Sequence, residues 1–184
     1  MPASLDRARA LASQLRTGFK TIILGTASPD GEPDASPVAA VLDTDGAFFI
    51  CVSGLAAHTR HLLANRRASV LLVEDEADTR QSFARRRLTL SCTASVLPRE
   101  SPEASRILSA LRTKFGAPVD LVASLPDFQL IALTPQRGRL VAGFGEAYEV
   151  DPRDWTNLMP VGRPFSPGNP GRPGHPARPV RPGP

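Results

Sequence analysis

The chain has 184 residues, and its 41% hydrophobic content is ordinary for one soluble globular domain. No stretch approaches the roughly 20 apolar residues of a membrane span, and the amphipathic N-terminus is not typical of a secretory signal. The net charge of +4 does not indicate nucleic-acid binding, because four arginines and no acidic residue lie beyond Asp154 and the rest of the chain is neutral, with 18 basic and 18 acidic residues.

Helical and strand-like patterns alternate irregularly along the chain. Leu and Ala recur at helical spacing over residues 5–17 and predict a first helix. Further helices are expected within 56–68, over 101–115 with Ser101 as the N-cap, and near 119–125. Apolar or alternating runs bounded by turn residues predict seven strands, at 20–27, 35–42, 47–53, 68–75, 86–98, 127–136 and 139–150.

These elements predict a mainly β fold, an antiparallel barrel with peripheral helices, because the strands are not in regular βαβ alternation. The two cysteines, Cys51 and Cys92, each fall inside a predicted strand. A reduced, cytoplasmic compartment is therefore expected for the protein.

The C-terminal residues have a repetitive composition. Every third residue from Pro164 to Pro182 is proline, and few apolar residues accompany them. An extended, polyproline-like and disordered tail is therefore predicted. The expected organisation is an N-terminal helix over 1–17, a barrel domain over 18–150, an extension over 151–163 and this tail over 164–184.

The segment AAHTRHLLANRRA, residues 56–68, concentrates histidine and arginine between two strongly apolar runs. A helix that begins here would offer free N–H groups to an anion, and arginine would add bidentate recognition of phosphate or carboxylate. The alternative is a solvated basic helix, and the residues alone leave both interpretations open. A zinc site at His58 and His61 is not expected, because zinc usually takes three or four ligands.

Three ordered blocks of the sequence resemble a known family. They are TIILGTASPDGEPDASPVAAVLDTDGAFFICVSGLAAHTRHLLANRRASVLLVEDE, FARRRLTLSCTA and DFQLIALTPQRGRLVAGFGEAYEV, and they span about residues 18–150. Together they resemble the FMN-binding split barrel of the pyridoxamine 5'-phosphate oxidase superfamily and, more narrowly, its haem-utilisation branch, the HugZ/HutZ family. The resemblance implies a homodimer with ligand clefts at the subunit interface. Those clefts hold FMN in the superfamily and haem in this branch, where some members degrade haem oxidatively.

The resemblance implies roles for His58, Thr59, Arg60 and Asp127, and the strand pattern suggests roles for Arg86 and Gly143. Each role has a structural alternative. His58, Thr59 and Arg60 are expected to contact haem propionates or the FMN phosphate at the start of their helix. Arg86 would lean inward from its strand toward an anionic ligand, or would protect a sheet edge. Asp127 would hold the axial histidine of the other subunit by a hydrogen bond, or would only begin a strand. Gly143 would give clearance to a flat cofactor, or would form a bulge.

One feature departs from the family pattern. In the haem-binding branch the axial histidine comes from the segment beyond GFGxAxxV, and the only histidine there in this chain is His175, within the proline-rich tail. His175 is therefore the expected iron ligand, although a proline-rich tether does not preorganise one. The Pro, Arg and Gly composition is also what an out-of-frame reading of GC-rich DNA would yield, so a frameshift that removed the usual histidine is an alternative.

The predicted function is haem binding in haem and iron utilisation, with oxidative haem degradation as its enzymatic form. One alternative is an FMN-dependent oxidoreductase of the same fold, and another is a non-enzymatic haem carrier or store. The expected partners are a second copy of the chain and a small-molecule cofactor, with neither nucleic acid nor membrane.

Overall fold

A computed structural model gives the structure of residues 2–161, with side chains from residue 4. The predicted tail over 164–184 lies outside the described residues. The helices are α1 Pro2–Gly18, α2 Ala57–Asn65, α3 Pro102–Phe115 and α4 Pro118–Ser124, with short 3-10 turns at Glu76–Asp78 and Ser82–Ala84. The strands are β1 Thr21–Ala27, β2 Pro33–Leu42, β3 Phe48–Ser53, β4 Arg67–Val73, β5 Arg87–Leu97, β6 Phe128–Gly143, β7 Glu146–Val150 and β8 Leu158–Pro160. No described helix is long and apolar enough to cross a membrane.

All strand pairs are antiparallel, in the order β3-β2-β1-β4-β5-β6-β7-β8. A further pairing of β3 with β6 closes the first six strands into a barrel. The length of β6 explains the split in this barrel. Its first half, 128–133, pairs with β3, whereas its second half, 138–143, pairs with β7. The predicted mainly β barrel with peripheral helices is confirmed.

The largest error in the predicted elements concerns β6. A strand break was expected at 137–138, but the strand continues to Gly143 and the chain reverses at Phe144 and Gly145. Gly138 is needed for close packing rather than for a turn. A Cβ atom there would lie 2.9 Å from Cβ of Val150 and 3.0 Å from Cδ2 of Leu90. Gly145 has the positive φ, 73°, that the reversal requires.

The main core fills the barrel with aliphatic side chains. Ile22, Leu24 and Leu90 are among its fully buried members. Trp155, from the segment between β7 and β8, is 2% exposed and stacks on Phe48 with 6.1 Å between ring centroids. Because β8 also pairs with β7, residues 151–160 pack onto the barrel and contribute to its core.

A second, smaller core lies between α3 and the outer side of the barrel. Ala104, Ile107 and Leu111 are the buried residues of α3, and they pack against strand residues such as Phe49. The predicted N-cap is confirmed, because Ser101 Oγ accepts a 3.1 Å hydrogen bond from the Ala104 N–H.

Candidate functional site

Helix α2 is fixed to the barrel at its entry by Asp127. The backbone N–H of Gly54 donates to the carbonyl oxygen of Asp127 at 2.7 Å, and Ser53 Oγ donates to Asp127 Oδ2, also at 2.7 Å. The same Ser53 hydroxyl accepts from the Leu55 N–H at 3.2 Å. Asp127 therefore joins the end of β3 and the start of β6 and sets the direction in which α2 begins. The proposed bond to an axial histidine of another subunit stays a prediction.

Two histidines of α2 lie against barrel strands. Nδ1 of His58 is 2.9 Å from Ser36 Oγ on β2, and Nδ1 of His61 is 3.1 Å from Thr26 Oγ1 on β1. The pairing of Thr26 with Asp34 in the β1–β2 ladder places these hydroxyls close together under the helix. Both imidazoles are thus held through Nδ1, which leaves Nε2 of each ring without a described partner.

The pKa of His58 is lowered from its ordinary value of 6.5. Burial against β2 disfavours the imidazolium and is the larger cause. The Asp34 carboxylate opposes this effect, whereas the charge of nearby His61 adds to it. His58 is therefore more readily neutral than an exposed histidine, and a neutral imidazole is the form that ligates a metal.

The expected contact between Thr59 and a ligand stays a prediction, although the side chain is buried in this structure. Thr59 is 0% exposed, and its Oγ1 is the buried side-chain oxygen or nitrogen atom in residues 4–161 for which no hydrogen-bond partner is found. Helical geometry turns the Thr59 side chain toward the barrel. Helical spacing is the signal for this burial, because Thr59 is three residues before Leu62, the other buried residue of α2.

Arg60 and Arg86, the two arginines predicted from the sequence to contact a ligand, are both bonded to nearby groups of the chain. Arg60 Nη1 donates to the carbonyl oxygen of Leu55 at 2.5 Å. Arg86 was expected inside β5, but the strand begins at Arg87, and the Arg86 guanidinium is paired with Glu74. Burial disfavours the Glu74 carboxylate, yet the hydrogen bonds and positive charge of Arg86 outweigh that effect and lower the pKa of Glu74. The predicted contact of Arg86 with an anionic ligand stays a prediction, and in this structure its guanidinium is paired with the nearly buried Glu74.

Gly143 lies at a register shift between β6 and β7, as the bulge interpretation predicted. A Cβ atom there would lie 3.4 Å from Glu146 Oε2, so its nearest neighbour is a side chain of the same hairpin. His175, the expected iron ligand, lies outside the described residues.

An open groove of about 1210 Å³ crosses the outer face of β1, β2, β4, β5 and β6. Small residues form much of its lining, including Gly25, Ala35 and Ser69. Arg67 and Arg137 also line the groove, and within the described residues neither guanidinium has an ion-pair or hydrogen-bond partner. The sequence pattern identifies neither arginine as a site residue, because it predicts Arg67 in the basic helix and Arg137 at a strand break.

The groove and the histidines of α2 are neighbours. Thr26, the partner of His61, lines the groove, as does Asp34, whose charge acts on His58. Asn65, the last residue of α2, also lines it, and its Nδ2 donates to the Ala27 carbonyl oxygen at 2.7 Å. Along β1 and β2 the hydroxyls of Thr26 and Ser36 alternate with the small residues Gly25 and Ala35, so the histidines are held on the inner side of these strands and the floor of the groove lies on the outer side.

Comparisons with known proteins agree with this architecture. The chain is 36% identical over 146 residues to the heme oxygenase HutZ of Vibrio cholerae, an overlap of 79% of this chain and 82% of that protein. The crystal structure of Vibrio cholerae HutZ, described as a heme storage protein, matches with a TM-score of 0.64 and 33% identity, covering 67% of this chain and 87% of that one.

A heme binding protein from Mycobacterium smegmatis also has a similar structure. It matches with a TM-score of 0.68 and 28% identity, covering 85% of this chain and 61% of that one. Residues 9–142 match the family described as pyridoxamine 5'-phosphate oxidase, which is most of the chain. The protein therefore belongs to the pyridoxamine 5'-phosphate oxidase family, and its barrel is the split barrel of that family.

Proposed function

We propose that this protein binds haem and acts in haem and iron utilisation. The observation that carries the proposal is the 36% identity to the heme oxygenase HutZ over 79% of the chain. The heme binding protein of Mycobacterium smegmatis, with a similar structure and 28% identity, gives further support.

The residues that line the groove meet two of the chemical needs of haem. A haem needs an iron ligand, cations for its two propionates and a surface without bulky side chains. Arg67 and Arg137 provide unpaired cations and the small residues of the groove provide the surface. The iron ligand expected from the family resemblance, His175, lies outside the described residues. When bound, haem would supply a redox-active iron, and the protein would supply position, a ligand and hydrogen bonds.

Haem titration of the purified full chain tests the proposal. We expect a Soret band that saturates at a fixed ratio of haem to chain. The double variant Arg67→Gln/Arg137→Gln should bind haem about tenfold or more weakly, because hydrogen bonds to charged groups contribute about 1.5–3 kcal/mol. Arg80→Gln is the matched control, because Arg80 is exposed and does not line the groove. A chain that shows no saturable Soret band would overturn the proposal.

The enzymatic form of the function needs a separate measurement. Haem-loaded protein given a reductant and oxygen should lose its Soret band if it degrades haem, and should keep it if it is a carrier or store. A homodimer is part of the proposal, and the mass of the loaded protein in solution tests it.

An FMN-dependent oxidoreductase is the second candidate, favoured by the description of the family that the chain matches. Ala56, the N-cap of α2, makes no side-chain cap, so backbone N–H groups at the helix start are available to a phosphate. Purified protein with flavin absorption bands, or saturable FMN binding without haem binding, would favour this candidate.

A further inference from the structure

An apolar groove of about 370 Å³ lies beside the hairpin that joins β6 to β7. It shares no lining residue with the larger groove that contains Arg67 and Arg137. Phe83, from the second 3-10 turn, and Phe144, from the hairpin, both line it and are 91% and 83% exposed. Neither ring contacts another aromatic ring within residues 4–161. Exposed aromatic surface gathered around one groove is typical of an interaction site.

Strand β8 leads the chain into this groove. The antiparallel ladder of β8 with β7 ends with Pro160 opposite Tyr148. One residue further, the Val161 N–H donates to the Ala147 carbonyl oxygen at 2.8 Å. Val161 and Ala147 both line the groove. The last described residue therefore lies at the wall of the groove, and its register directs the chain toward the hairpin turn.

The sequence that follows Val161 suits an apolar groove. It reads Gly162, Arg163, Pro164 and Phe165, and no further phenylalanine, tyrosine or tryptophan comes after Phe165. At about 3.3 Å per extended residue, Phe165 can lie up to about 13 Å from Val161. Pro164 fixes its own φ and restricts Arg163 to extended backbone, so docking of this segment costs less conformational entropy than docking of an unrestricted one.

The groove also carries a charge opposite to that of the segment. Glu146 lines it, and the ion-pair partner of Glu146 among the described residues is Arg7, at 3.7 Å. The Arg7 side chain is 70% exposed, and an ion pair this exposed contributes little. Glu146 can therefore accept Arg163, which is two residues beyond Val161, as a second cation. The charge would favour one orientation of the segment, and the Phe165 ring would contribute most of the affinity.

The segment 162–165 is a better occupant of the groove than a second molecule is. It is joined to the groove at Val161, and a short flexible link gives an effective concentration in about the millimolar range. A second copy of the chain at micromolar concentration would have to displace it.

We propose that residues 162–165 dock in this groove, with the Phe165 ring against Phe83 and Phe144 and the Arg163 guanidinium near Glu146. The docked residues would fix the point from which the rest of the chain, including His175, extends. The proposal departs from the disordered tail expected from composition only at Pro164 and Phe165. It does not depend on haem binding, so it and the proposed function can fail separately.

Native-state proteolysis of the full chain tests the docking, because chymotrypsin cuts after Phe165 only when that residue is free. Mass spectrometry follows the release of residues 166–184. The double variant Phe83→Ser/Phe144→Ser should release this fragment about tenfold faster than the unaltered chain, because the Phe165 ring loses its apolar partners. Leu121→Ser is the matched control, since Leu121 is 67% exposed on α4 and does not line the groove. Equal release rates in the double variant and the control would overturn the proposal.

Fluorine NMR of the full chain labelled with 4-fluorophenylalanine gives a second readout that does not depend on cleavage. Phe165→Ser should shift the resonances of Phe83 and Phe144, whereas the matched control Val180→Ala should leave both in place. Unshifted Phe83 and Phe144 resonances in Phe165→Ser would overturn the proposal. A difference that disappears on dilution would also overturn it, because a second copy would then cover the groove. Circular dichroism of each variant checks that the barrel is folded.

Discussion

The hydroxyl of Ser36 lies 2.9 Å from Nδ1 of His58, although 22 residues separate them along the chain. Strand β2 places Ser36 under α2, and the Asp127 network fixes where that helix starts. The barrel therefore fixes the His58 imidazole in two ways, through the Ser36 hydroxyl and through the position at which α2 begins.

The stability of the protein should depend on pH through His58. Since burial lowers its pKa below 6.5, the unfolded chain takes up a proton more readily than the folded one. The stabilising effect is complete above about pH 6.5 and is lost as pH falls toward the lowered pKa. Urea midpoints should fall less steeply with decreasing pH below 6.5 for His58→Gln than for the unaltered chain. Parallel pH profiles for the two proteins would contradict this expectation.

Thr59→Val should stabilise the protein by about 1 kcal/mol. The change removes a buried hydroxyl for which no partner is found and keeps the shape of the side chain. Urea unfolding measures the difference in free energy of unfolding. Thr59→Ser is the control, because it keeps the hydroxyl and loses a buried methyl group, and it should destabilise the fold. A loss of stability in Thr59→Val would mean that the hydroxyl has a partner after all.

Ser53→Ala should destabilise the fold by about 1–3 kcal/mol, because it leaves the Asp127 carboxylate and the Leu55 N–H without their partner. Asp127→Asn keeps an acceptor oxygen for Ser53 and should have a smaller effect. A double-mutant cycle of Ser53→Ala with Asp127→Ala should show a coupling energy of at least about 0.5 kcal/mol. Additive effects would show that the 2.7 Å bond contributes little.

Gly138→Ala should destabilise the protein by about 1–3 kcal/mol, because its Cβ would collide with Val150 and Leu90. Gly18→Ala is the matched control, since a Cβ at Gly18 meets no atom within 4 Å. Combining Gly138→Ala with Val150→Gly, which removes the Cβ atom that the new side chain would meet, should be less harmful than the sum of the two single changes. If both glycine variants have the same urea midpoint, close packing at Gly138 is not the reason for the glycine.

Local patterns in the sequence predicted most of the elements correctly, because apolar alternation and turn residues act over short distances. Ser101 was recognised as an N-cap for the same reason. The strand break expected near Gly138 is wrong. A glycine is required there because Val150, on another strand, approaches too closely for a side chain. Only the pairing of β6 with β7 brings the two residues together.

The candidate site was harder to predict than the fold. The composition of the segment with His58 predicts an anion site, and that role stays a prediction. The burial of Thr59 and the pairing of Arg86 with Glu74 depend on how α2 and the start of β5 lie on the sheet. Arg67 and Arg137 are 70 residues apart in sequence and line one groove only after β4, β5 and β6 have paired.

The burial of Trp155 has a consequence for synthesis of the chain. The indole that stacks on Phe48 comes from a segment made after every strand of the closed barrel. While a ribosome is extending the chain, the core therefore lacks its largest buried side chain until Trp155 has emerged. The final collapse of the core should accordingly follow the emergence of Trp155, and nascent chains arrested before residue 155 should remain sensitive to protease.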